Sequence, residues 1–117
     1  MRVAYIAGPY RAKTSIGKLI NIWKARKAAK KYWKMGYAVI CPHSNSALFD
    51  GVVDELTFLN GDLEILKRCV DVLVLLPKWE DSTGSVIEQQ WAIKWGKEIH
   101  YLNEKGNYKD FQPSTEK

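Results

Sequence analysis

The sequence predicts a small doubly wound α/β domain, a parallel sheet of four to five strands with helices on both faces. Three observations carry that expectation. Short β-prone runs alternate with helical stretches along the chain, the order that builds a parallel sheet from crossover units. The run Val70–Leu76 is almost continuously apolar, as in a strand covered on both faces. Polar or turn-forming stops (Gly8-Pro9, Pro42, Pro77–Gly84) follow the strands, at the sheet edge where such folds bind ligands.

Each element has its own warrant. Arg2–Ala7 is a β-prone run ended by Gly8-Pro9. Thr14–Met35 reads as a helix, with Thr14 or Ser15 as N-cap and Gly36 as terminator. On its helical wheel Ile22, Ala25, Ala28, Ala29, Tyr32 and Trp33 share one arc, expected to face the sheet. Lys24, Lys27, Lys30, Lys31 and Lys34 cluster on another side. Ile16, Ile20 and Trp23 extend that side as a second apolar patch, which predicts a homo-oligomer contact, a dimer or larger, with burial under a loop as the alternative. Tyr37–Cys41 is the next strand, stopped by Pro42. Residues 43–55 read as a polar loop with a helical turn. Leu56–Cys69 reads as a helix, broken or started near Asn60-Gly61. Within Val70–Leu76, Asp71 is expected to hydrogen-bond a neighbouring loop backbone. Pro77–Gly84 is a loop, Ser85–Gly96 a helix and Glu98–Leu102 the last strand. Residues 1–102 thus form one domain and residues 103–117 a polar, extended tail.

The chain has 117 residues, enough for one hydrophobic core. With 46% apolar and 26% charged residues it is not a disordered sequence. Its longest apolar run, Val70–Pro77, is far short of the roughly 20 residues of a membrane span. No secretory segment is visible near Met1, so a cytoplasmic location is expected. The net charge of +5 favours an anionic partner. The lysine stripe lacks interleaved exposed aromatics beyond Trp23, which ranks nucleic acid low and a small-molecule nucleotide first. Cys41 and Cys69 sit in apolar contexts and read as buried thiols of a reducing compartment. Cys41 with His43 is only half of a metal site, so neither a metal nor a cofactor is expected. Five Trp residues in a chain of this size point to an interface or a base-binding pocket.

Three loops at the ligand edge carry the candidate chemistry: Gly8-Pro9-Tyr10-Arg11, Pro42-His43-Ser44-Asn45 and Asp81-Ser82-Thr83-Gly84-Ser85. Residue types of this kind suit a polar, phosphorylated small ligand. In the third loop Ser82, Gly84 and Ser85 precede a helix whose exposed N–H groups and dipole make an anion site. A plain Ser N-cap with a flexible Gly explains the same residues. Glu88 lies on the wheel between Gly84, Trp91, Ala92 and Trp95, on the face that meets the sheet. A carboxylate there is costly unless paired, and beside a phosphate-type loop it is a candidate nucleophile or base. A structural ion pair is the alternative. Asp62 opens the helix before the central strand, where the dipole alone accounts for it. Tyr5 alternates within the first strand and reads as core.

Together these residues resemble the nucleoside 2-deoxyribosyltransferase-like superfamily, which includes the transferases and the 2'-deoxynucleoside 5'-monophosphate N-glycosidases. The resemblance runs from Met1 to about Leu102. It rests on Tyr5–Tyr10, on Asp62 before the third strand and on Asp81–Glu88. It implies that Glu88 is the nucleophile at the anomeric carbon, that Asp62 is the acid assisting departure of the base, and that Tyr5 orients the nucleophile. It further implies that Gly8, Arg11 and His43 lie in the loops around sugar and base, with Pro9 and Asn45 beside them. Ser82 and Gly84 match positions that hold a 5'-phosphate in the nucleotide hydrolases. The transferases carry an Asp at the Ser82 position, and they send an Asn-x-Met-like C-terminal segment into a neighbour's site, which this chain lacks. The segment Cys69-Val70-Asp71 is one residue longer than the usual pattern and could displace Asp62 from Glu88. The expected function is therefore hydrolysis of the N-glycosidic bond of a nucleoside 5'-monophosphate. A base-exchanging deoxyribosyltransferase and a non-catalytic nucleotide-binding protein are the alternatives.

Overall fold

The computed structural model describes residues 1–42 and 51–111. The strands are β1 (Val3–Ala7), β2 (Ala38–Ile40), β3 (Val72–Leu75), β4 (Glu98–Leu102) and β5 (Tyr108–Phe111). The helices are α1 (Ser15–Lys34), α2 (Glu55–Cys69) and α3 (Thr83–Lys94), with a 3-10 turn at Trp79–Asp81.

The sheet runs in the order β2-β1-β3-β4-β5. The first four strands are parallel, with Tyr5 opposite Ile40 and Leu73, and Val74 opposite His100. The chain leaves β1 toward β2 and β3 toward β4, in opposite directions. This switch point opens a crevice beyond the carboxyl ends of β1 and β3, where ligands bind in such sheets.

The period of two splits the core. Ala4, Ile6, Val72 and Val74 pack under Ala25, Ala28, Ala29 and Tyr32 of α1. Tyr5, Ala7, Leu73 and Leu75 face the other way, against Leu66 of α2 and Ala92 of α3. Helices therefore cover both faces, as the alternation of elements predicts. Gly8 ends β1 because the chain passes too close to Leu76 for a side chain: an added Cβ would lie 2.7 Å from the Leu76 Cβ.

Several sequence expectations need correction. The segment read as tail carries β5, which pairs antiparallel with β4, so the edge of the sheet is not parallel. The turn before it is held by Asn103, whose Oδ1 accepts from the N–H groups of Lys105 and Asn107 at 2.9 and 3.0 Å. Helix α2 runs unbroken through Asn60-Gly61 and starts at Glu55, not there. Both residues face solvent, and the roughly 1 kcal/mol that a helical Gly costs is offset by the packing of Leu63 and Leu66. Trp33 leaves the sheet-facing arc of α1 and stands 55% exposed. Cys69 is exposed rather than buried, its Sγ directed at the Ile65 carbonyl oxygen 3.4 Å away. Asp71 bonds a backbone, but that of β1 rather than of a loop, accepting from the Val3 N–H at 2.8 Å. The second apolar patch of α1 is open, with Ile16, Leu19, Ile20 and Trp23 all exposed. No described helix is long and apolar enough to cross a membrane.

Candidate active site

A cavity of about 750 Å³ occupies the crevice beyond β1 and β3. One wall is the Gly8-Pro9-Tyr10-Arg11 loop, another the 3-10 turn and the first turns of α3, and a third the N-terminal half of α2 with Leu56, Phe58, Leu59 and Asp62. Gly8, Pro9, Arg11, Asp62, Ser82, Gly84 and Glu88 all line it. Tyr5 joins them through Glu88. His43 and Asn45 lie outside the described residues.

Glu88 sits one turn past the start of α3, on the stripe of Ser85 and Ala92 that meets the sheet. It is 7% exposed, and it reaches the cavity at the inner end. The Tyr5 hydroxyl, wholly buried on β1, donates to its Oε2. No basic side chain pairs with it among the described residues. Burial lifts the Glu88 carboxyl to about 8; the Tyr5 bond opposes that rise, and the Asp62 charge adds to it. Burial likewise pushes the Tyr5 hydroxyl well above its usual range, so it remains a donor.

Asp62 is not where the sequence reading placed it. The N-cap of α2 is Asp54, whose carboxylate accepts from the Thr57 N–H at 2.8 Å. Asp62 lies two turns further on, beyond the reach of the helix N-terminus, so the dipole does not account for it. It is half-buried in the cavity wall, and burial raises its carboxyl to about 6. The extra residue at Val70 has not separated it from Glu88: both line the same cavity, and the Asp62 charge acts on Glu88.

Ser82 caps α3, its Oγ accepting from the Ser85 N–H at 3.2 Å. The plain capping role is thus real. It leaves the Thr83 and Gly84 N–H groups aimed along the helix axis at the cavity, with no acceptor among the described residues. The two readings of this loop coexist in one geometry. Among the described residues no cluster of three or more potential ligands could hold a metal.

Sequence reasoning missed Glu55 and the α2 wall. The signal was Asp54-Glu55 ahead of Thr57, a helix-start pattern that the Asn60-Gly61 pair obscured. It also missed Asn21, whose Nδ2 donates to the Tyr10 and Arg11 carbonyl oxygens, both at 3.3 Å.

Residues 2–101 match the family model described as "Domain of unknown function (DUF4406)". The chain belongs to that family. Curated proteins give no sequence match. Among solved structures, a DUF4406 chain of this shape is similar to a 2-deoxyribosyltransferase from the psychrotolerant bacterium Bacillus psychrosaccharolyticus. That pair has a TM-score of 0.60 and 20% identity, covering 85% of this chain and 70% of the other. It is also similar to BlsM, with a TM-score of 0.63 and 23% identity over 91% of this chain and 67% of the other. At such identities the likeness is one of fold alone, an α/β fold shared with both proteins.

Proposed function

We propose that this protein cleaves the N-glycosidic bond of a nucleoside 5'-monophosphate, with Glu88 as nucleophile. The observation that carries the reading is a buried carboxylate with a tyrosine donor and, among the described residues, no cation, lining one cavity with a second carboxyl. No ion pair among the described residues accounts for it as a structural Glu, and a perturbed carboxyl lining a cavity is a candidate for chemistry. The shared fold with a 2-deoxyribosyltransferase supports the same class of chemistry.

In this reading a Glu88 oxygen attacks the anomeric carbon as the bond to the base breaks, through an oxocarbenium-like state. Asp62 gives its proton to the departing base. Water then attacks the anomeric carbon of the glycosyl–Glu88 ester, its proton passes to the Asp62 carboxylate, and the bond from that carbon to the Glu88 oxygen breaks, which frees the sugar phosphate and restores the Glu88 carboxylate. The two carboxyls need opposite protonation, Glu88 ionised and Asp62 protonated. Near neutral pH the pair holds one proton between them, since their values bracket neutrality. With Glu88 near 8 and Asp62 near 6 that proton rests mainly on Glu88; the reactive form, charged on Glu88, is the minor one, and the Tyr5 donor helps to populate it. The Thr83 and Gly84 N–H groups, the Ser82 hydroxyl and the Arg11 guanidinium, which line the same cavity, would hold the phosphate, and the apolar α2 wall the base.

Base exchange is the second reading, favoured by the 2-deoxyribosyltransferase likeness. One chromatographic assay separates them. The purified protein is incubated with each common ribo- and deoxyribonucleoside 5'-monophosphate, with and without a second free base. Release of base from a nucleotide alone establishes the hydrolase, and product only with the second base establishes the transferase. No release with either refutes both and leaves a nucleotide-binding protein. Self-association through Ile16, Ile20 and Trp23 belongs to the same proposal: Trp23→Glu is expected to convert a dimer to a monomer in sedimentation.

A further inference from the structure

Arg11 is the only Lys or Arg among the described residues lining the cavity, which also holds Glu55, Asp62, Asp81 and Glu88. That one cation is already engaged. Its guanidinium pairs with the Glu55 carboxylate, and the two come from opposite banks: Arg11 from the loop after β1, Glu55 from the first turn of α2. Both banks are anchored. Asn21 of α1 holds the Tyr10 and Arg11 carbonyl oxygens, and the Lys18 ammonium stands 5.4 Å from the centre of the Tyr10 ring. Across the mouth, the Asp54 cap fixes Glu55 as the first residue of α2.

The pair spans the opening but holds it weakly. Its side chains are 67% and 76% exposed, and such ion pairs are worth at most about 1 kcal/mol. A dianionic phosphate is the stronger partner for a guanidinium, because it accepts the same two parallel N–H bonds as a carboxylate and carries about twice the charge. To reach Arg11 it must displace Glu55 and then tolerate that carboxylate nearby. A neutral nucleoside meets no such competitor. We propose that Glu55 determines how far the site prefers phosphorylated over unphosphorylated nucleosides, by competing with the ligand phosphate for Arg11 across the cavity mouth. This rests on the nucleotide reading above and adds to it a residue that tunes substrate class.

The test is calorimetric binding of the four common 2'-deoxyribonucleoside 5'-monophosphates and their parent nucleosides. The full chain carries Glu88→Gln, so that no ligand is consumed. Adding Glu55→Gln is expected to tighten monophosphate binding about three- to ten-fold and to leave nucleoside binding within about two-fold. In an Arg11→Ala background the same substitution should shift monophosphate binding less than about two-fold, because the contested cation is gone. The gain should also shrink as salt is raised. The Asp54 cap is untouched in every variant, and thermal melting checks that each is folded. An unchanged ratio of monophosphate to nucleoside affinity in Glu55→Gln overturns the proposal, as does an equal gain without Arg11. Base release by the unsubstituted protein together with an unchanged ratio overturns this proposal alone. Failure of every ligand to bind, with no base release, overturns the nucleotide reading beneath it.

Discussion

On one face of the sheet Tyr32 meets His100, and on the other Tyr5 meets Glu88; each is a buried tyrosine bonded to a buried ionisable group. Their surroundings differ. The Tyr32 hydroxyl lies 2.7 Å from the His100 Nδ1, the His100 Nε2 lies 2.7 Å from a Glu98 oxygen, and Arg2 donates to Glu98 at 2.6 Å. That chain ends on a cation at the surface. Partial burial raises the Glu98 carboxyl, but the bonds from Arg2 and His100 outweigh it and leave it below its ordinary value. Glu88 has one neutral donor and, among the described residues, no cation; its carboxyl is lifted to about 8 and an open cavity lies beside it. Burial alone therefore does not mark a reactive group. A network that compensates its charges serves the fold. A carboxylate left uncompensated against a cavity is available for chemistry.

The largest expected effect breaks the reactive side of this comparison. Glu88→Gln should lower base release at least about a thousand-fold, read as the rate per folded molecule. The same variant should gain stability over the unsubstituted protein as pH rises. The native Glu88 carboxyl titrates near 8 against 4.5 for an ordinary Glu, so its contribution to stability is full below 4.5. That contribution is lost as pH climbs through 8. Melting curves from pH 4 to 9 check the sign, and a Gln variant that loses stability relative to the unsubstituted protein as pH rises refutes it.

Asp62→Asn comes next, with a loss of about a hundred- to ten-thousand-fold. Its pH profile is the sharper readout. A pair that must hold one proton gives a bell with limbs near 6 and 8. Without Asp62 the alkaline limb should vanish, because only Glu88 still has to be ionised. A bell that survives intact removes Asp62 from the acid role.

On the compensated face the effects should fall on stability alone. His100→Leu leaves the Tyr32 hydroxyl and Glu98 without that partner and is expected to cost about 1–3 kcal/mol, read by denaturant titration. Arg2→Ala breaks only the half-exposed end of the chain and should cost less than about 1 kcal/mol. Base release per folded molecule should stay within about two-fold in both. A large loss of activity in His100→Leu would mean that the two faces are coupled through the sheet.

The alternation of elements, the apolar β3 and the wheel position of Glu88 were legible because they are local: periodicity and turn residues fix which face a side chain takes. Capping at Thr14 and Ser82 was legible for the same reason. The three-dimensional structure decided what depends on residues distant in the chain. Solvent on the outer side of α2 let the helix pass through Asn60-Gly61, and this moved Asp62 from a helix start to a cavity wall. Pairing with β4 turned a polar tail into β5, because backbone groups rather than side chains make that contact. The meetings of Tyr5 with Glu88, Arg11 with Glu55, and Asn21 with the loop after β1 each join separate elements. Sequence supplied the chemical groups; whether a carboxylate ends beside a cation or beside a cavity is settled by which elements pack together, since charge compensation is a property of space and not of order along the chain.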